Sequence, residues 1–135
     1  MIEPLPELIV KPEEENDVVV LHLCGELDIA TAPVLIQELH SLLAHDTRHV
    51  AIDVLELSYI DSTGVNLIST AAVSFGLAKR RLCLLKRHGI VQRIFELARL
   101  ADEIPSFHAL SDARDFLRRP VIRKRRATRR RTLAG

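Results

Sequence analysis

Hydrophobic residues come in blocks whose spacing changes along the chain, and each change marks an element. Val18, Val19, Val20, Leu21 and Leu23 form a β-branched, apolar run that predicts a strand buried on both faces, closed by Gly25. A helix is predicted next, with Thr31 as its cap, Pro33 in its first turn and Leu35, Leu39, Leu42 and Leu43 at helical spacing. His49–Leu55 alternates as a second strand, with Val50, Ile52 and Val54 on one face and Ala51 and Leu55 on the other. Tyr59 and Ile60 extend the chain into Asp61-Ser62-Thr63-Gly64, where the period changes. Val65, Ile68, Ala72 and Phe75 mark a second helix running to about Lys79. Arg81–Lys86 reads as a third strand. Gly89 and Ile90 lead into a third helix with Val91, Ile94, Phe95 and Ala98 on one stripe. Ile104–His108 reads as a last short strand, and Ser111 as the cap of a final helix carrying Ala113, Phe116 and Leu117. Pro120 stops that helix by about Arg119. Leu8–Val10 predicts at most a short edge strand, because Pro4, Pro6 and Pro12 crowd the first seventeen residues and proline cannot donate to a central ladder.

Strands alternating with helices of 10–15 residues imply helices laid against a largely parallel or mixed sheet. At 135 residues, 47% of them hydrophobic, the chain suits one domain with a true core. No run approaches the ~20 apolar residues that span a bilayer, and Met1–Glu15 lacks a basic start followed by an apolar stretch, so the expected location is the cytoplasm. Cys24 and Cys83 are too few for a stapled scaffold and read as free thiols in a reducing compartment.

Charge divides the chain further. Nine Lys and Arg side chains and no acid fall in residues 118–135, which leaves 10 of the chain's 19 basic groups against all 18 acids before them. Residues 1–117 therefore carry −8 and the tail +9. Everything beyond Pro120 lacks periodicity and reads as a solvated basic tail. Such a run suits weak, salt-dependent contact with nucleic acid or an anionic membrane, or a fold-back on the acidic body.

Candidate chemistry is sparse. The glycine-rich phosphate loops and the Gly-x-Ser-x-Gly elbow are absent. His45 and His49 are four apart, but a helix end and a strand start separate them, and His22, His40, His88 and His108 form no ligand spacing, so no metal or other cofactor is expected. Lacking a nucleophile–base pair or a metal site, the chain does not read as an enzyme. Ser62 stands at or near a helix N-cap, where a serine is commonly only a cap worth ~1 kcal/mol. The same place tolerates a phosphate, since a helix start presents free N–H groups and partial positive charge. Asp28 follows the first buried strand as Ser62 follows the second; parallel neighbours would bring both to one sheet edge.

Gly25-Glu26-Leu27-Asp28-Ile29-Ala30-Thr31-Ala32-Pro33, then Asp53-Val54 and Leu57-Ser58-Tyr59-Ile60-Asp61-Ser62-Thr63-Gly64, resemble the two signature stretches of the STAS domain, and more closely those of bacterial anti-sigma factor antagonists. The likeness continues through Val91–Leu100 and covers roughly residues 8–117 of a 1–117 domain, with 118–135 outside it. It implies an α/β fold, a mixed four- to five-stranded sheet with about four helices against it. It also implies partner switching. The unmodified protein binds an anti-sigma factor, a serine kinase of the histidine-kinase-like ATPase fold, and frees the sigma factor. Phosphorylation at Ser62 ends that binding, and a serine phosphatase restores it. By the same resemblance Asp28, Asp61, Thr63 and Gly64 fall to the partner-binding surface, with Thr63 the lesser acceptor. Two other readings remain open: a STAS subunit of a lipid-transport ATP-binding-cassette complex, and a nucleic-acid-binding regulator acting through the tail.

Overall fold

Alternation along Val18–Leu27 sorts the two faces of the sheet. Val19, Leu21, Leu23 and Leu27 enter a large apolar cluster, whereas Val18 and Val20 enter a smaller one with Ala51 and Cys83. The computed structural model describes residues 7–86 and 104–120. Within them the strands are β1 (Leu8–Glu14), β2 (Val18–Leu27), β3 (His49–Ile60), β4 (Leu82–Leu85) and β5 (Ser106–Phe107), and the helices α1 (Ala32–His45), α2 (Ser62–Leu77) and α3 (Leu110–Arg118). The strands lie in chain order in one five-stranded sheet; β1 is antiparallel to β2 and the other pairs are parallel. This is the mixed sheet expected. α1 and α2 supply Leu35, Leu39, Ile68 and Phe75 to the large cluster on one face, and α3 covers part of the other through Ala113 and Leu117. Three helices are described where about four were expected; the one anticipated around Val91–Ala98 lies outside the described residues.

Several boundaries differ from expectation. β2 does not close at Gly25 but continues to Leu27, because Gly25 takes φ of +113° at a register shift in the β2–β3 ladder. A Cβ there would overlap the Glu7 carbonyl oxygen, so only glycine lets β1 pair alongside. β3 runs five residues past Leu55. The alternation fails there because one extra residue sits in β3 between the His22–Asp53 and Cys24–Glu56 pairs. The Asp53 carboxylate accepts the Leu55 N–H at 2.8 Å across that bulge, and the ladder resumes. β1 extends to Glu14 and includes Pro12, which an edge strand tolerates. The last strand shrinks to two residues. α3 begins at Leu110 after Ala109 with no side-chain cap, so Ser111 is inside the helix and not its cap. Arg118, counted by charge with the tail, is the last residue of α3.

Candidate functional site

The parallel ladder between β2 and β3 ends with Leu27 opposite Ile60, and the Asp61 N–H donates to the Leu27 carbonyl at 3.2 Å. Asp28 and Asp61 thus leave adjacent strand ends at one edge of the sheet, the place where open α/β sheets put their sites. The two loops are then fixed differently. Asp28 Oδ1 accepts from the backbone N–H of Ala30 at 2.9 Å and of Thr31 at 3.0 Å. Thr31 does not cap α1 with its side chain, as the sequence suggested; its hydroxyl donates to the Glu26 carbonyl at 2.7 Å and accepts from the Asp28 N–H at 3.0 Å. Asp28 therefore shapes its own loop, and Oδ2 takes none of these bonds.

The N-cap of α2 is Asp61, not Ser62. Asp61 has extended backbone, its Oδ1 accepts from the Gly64 N–H at 3.1 Å, and its carbonyl accepts from the Val65 N–H at 3.0 Å. Ser62 is the first helical residue, exposed, and its hydroxyl bonds no other described residue. With Gly64 and Val65 taken, the N–H groups of Ser62 and Thr63 stay free of protein acceptors among the described residues, beside the serine oxygen. Thr63 is half-buried and lines a 490 Å³ groove between α1 and α2 with Leu39, Leu43 and Leu67. The accessible hydroxyl of the pair is therefore that of Ser62. Gly64 is buried: an added Cβ would come 2.7 Å from Leu27 Cγ and 2.8 Å from Ile60 Cγ1. Its part within the domain is to let α2 close onto the strand ends.

Replacing Asp61 by Ala removes that cap, so the protein should lose about 1 kcal/mol of stability in urea denaturation, with the loss absent at Ser62→Ala. Two residues escaped the sequence reading. Ile29, 75% exposed, and Tyr59, 47% exposed, stand beside Asp28 and on the last stretch of β3. Large apolar side chains in a turn and at a strand end, where polar residues are expected, were the available signal.

Elsewhere, no group of three or more His, Cys, Asp and Glu able to hold a metal ion occurs among the described residues, and no described helix is long and apolar enough to cross a membrane. Cys24 is exposed and Cys83 buried, where burial pushes its thiol up to about 12. His49 accepts the Arg81 N–H through Nδ1 at 2.8 Å and serves the sheet.

The STAS domain profile matches residues 10–113, most of the chain and both strand-end loops. The chain belongs to the STAS domain family. An anti-sigma-B factor antagonist of Listeria monocytogenes is 30% identical to this STAS domain over 92 residues, covering 68% of this chain and 81% of that protein. Among solved structures, an anti-sigma factor antagonist from Mycobacterium paratuberculosis superposes on the STAS fold with a TM-score of 0.75 at 23% identity, over 82% of this chain and 94% of that one. The anti-sigma factor antagonist SpoIIAA in unphosphorylated form superposes with a TM-score of 0.70 at 22% identity, over 84% of this chain and all of that one. The Bacillus SpoIIAA in phosphorylated form gives 0.63 at 21% identity, over 82% and all of the respective chains. At these identities the structures speak for the STAS fold alone.

Proposed function

We propose that this STAS domain protein is an anti-sigma factor antagonist whose hold on its partner ends when Ser62 is phosphorylated. The observation that carries the reading is the division of labour at the start of α2: Asp61 caps the helix, so the Ser62 hydroxyl has no structural duty and stands exposed. Phosphate added there meets the free N–H groups of Ser62 and Thr63 and the positive end of a 16-residue helix, so the fold can hold it. It also adds roughly two negative charges to an edge that already carries Asp28 and Asp61. A partner docked on this edge through the acids and through Ile29 and Tyr59 then faces like charge it was not built for. Only about 1.4 kcal/mol is needed for a tenfold loss of affinity, and an uncompensated charge in a desolvated contact costs more. The partner is an anti-sigma factor of serine-kinase type, which modifies the residue that binds it, and a serine phosphatase reverses the step. The relatives named as anti-sigma factor antagonists, and the existence of SpoIIAA in both unphosphorylated and phosphorylated forms, support the same reading.

Incubation with the cognate anti-sigma kinase and ATP, followed by peptide mass spectrometry, tests it. Phosphate is expected on Ser62 and lost in Ser62→Ala, with Thr63 unmodified. Phosphate on Thr63, or on neither residue, overturns the assignment.

A further inference from the structure

Seven charged side chains, alternating in sign, run from the middle of the sheet to the end of the last helix. Asp53 on β3 bonds His22 Nδ1 on β2 at 2.6 Å, and His22 Nε2 meets Glu13 on β1 at 2.9 Å. Glu13 continues to Arg114 on α3 at 3.1 Å, and Arg114 to Glu15 at 2.6 Å. Glu15 then bonds Arg118 at 2.5 Å, and Arg118 bonds Asp17 at 2.9 Å. Six of the seven groups are carboxylates or guanidiniums, which stay charged across the neutral range. The one that does not is His22. We propose that His22 is a proton-operated clasp which, when charged, fastens β1 and the C-terminal helix α3 to β3, and when neutral loosens them.

The chemistry follows from what each group can donate. A charged imidazolium donates from both nitrogens and satisfies Asp53 and Glu13 together. A neutral ring donates from one, and turns a lone pair toward the other carboxylate. Asp53 is 7% exposed and its second oxygen is engaged by the Leu55 N–H, so an unpaired carboxylate there is costly and the remaining proton stays on Nδ1. Glu13 is exposed and can turn to water. The bond that breaks is therefore the outer one, which also holds Glu13 in reach of Arg114. The groups facing His22 are Asp53 from β3, Glu13 and its strand neighbour Lys11 from β1, and Arg114 from α3 through Glu13.

Burial opposes the charged ring, yet the bonds to Asp53 and Glu13 outweigh it, and the His22 pKa is raised above its ordinary 6.5. The sign is then fixed. A group with a raised folded pKa contributes stability that is whole below about 6.5 and is lost as pH rises through the folded value. His49, pulled down by burial and by Arg81 and Arg80, titrates below that window.

The test is NMR on the purified full chain. The His22 ring is expected to titrate above 6.5, and exchange protection of the Leu110–Arg118 amides, corrected for intrinsic rates, to fall about threefold or more in step with it. In Glu13→Gln, whose amide still accepts a hydrogen bond, the midpoint should drop and the fall in α3 protection should vanish. A ring that titrates at or below 6.5, α3 protection indifferent to pH, or an unchanged fall in Glu13→Gln overturns the clasp. None of these readouts involves Ser62, so the clasp and the phosphorylation reading stand or fall separately.

Discussion

Ser62→Asp should weaken binding to the cognate anti-sigma kinase by at least tenfold, while Ser62→Ala binds like the native protein. The difference isolates charge from hydroxyl. Ser62 bonds nothing else described, so removing the oxygen breaks no contact within the domain. A carboxylate at the same position leaves the Asp61 cap in place and is welcome at a helix start, so the variant should melt within a few tenths of a kcal/mol of native. Stability and binding thus part company. What changes is the edge presented to the partner, where a third anionic group joins Asp28 and Asp61. Isothermal titration measures both variants in one series, and urea denaturation shows the folds intact. Equal affinities for Ser62→Asp and the native chain would remove the electrostatic switch and favour a structural partner role such as the transporter reading.

Gly64→Ala should destabilise the domain by about 1–3 kcal/mol, against a helix-propensity gain of at most ~1 kcal/mol that would favour it. The clash decides. Leu27 and Ile60, the atoms the new Cβ would meet at 2.7 and 2.8 Å, are 0% and 1% exposed and form the last rung of the β2–β3 ladder. Neither can yield without opening the sheet edge or lifting the first turn of α2. The same displacement moves Asp61 and Ser62, so kinase-dependent phosphorylation should also slow. Gly76, in the last turn of the same helix, is the internal control. A Cβ there meets nothing within 4 Å, so Gly76→Ala should stabilise by roughly 0.5–1 kcal/mol. Opposite signs for the same substitution on one helix, read by urea denaturation, would separate packing from propensity. A stabilised Gly64→Ala would show that α2 closes less tightly than described.

Much of the site was legible in the sequence because it rests on local rules. Pro33 near a helix start, the β-branched run before Gly25 and the period change at Asp61 each leave a signature a few residues long. What failed were assignments with two local solutions. Either Asp61 or Ser62 can cap a helix that starts there, and nothing in Asp-Ser-Thr-Gly chooses between them. The choice comes from the Leu27 carbonyl, which receives the Asp61 N–H and sets where the strand stops. Thr31 does occupy the N-cap position of α1, but its hydroxyl bonds the Glu26 carbonyl, made available by the turn that Asp28 organises, instead of a helix N–H. The continuation of β3 past Leu55 was hidden because a bulge destroys the period-two pattern without ending the pairing.

By itself the sequence determined the alternation of elements, the mixed sheet and the Ser62 loop, since hydrophobic period and turn chemistry act over a few neighbouring residues. Tertiary structure alone decided that Asp61 relieves Ser62 of capping, that Gly64 is wedged between Leu27 and Ile60, and that His22 joins Asp53 to Glu13. Those outcomes depend on strand register and on the angle at which α2 and α3 meet the sheet. Such distances arise between residues up to about a hundred positions apart, as from Glu13 to Arg114, and no short-range pattern records them.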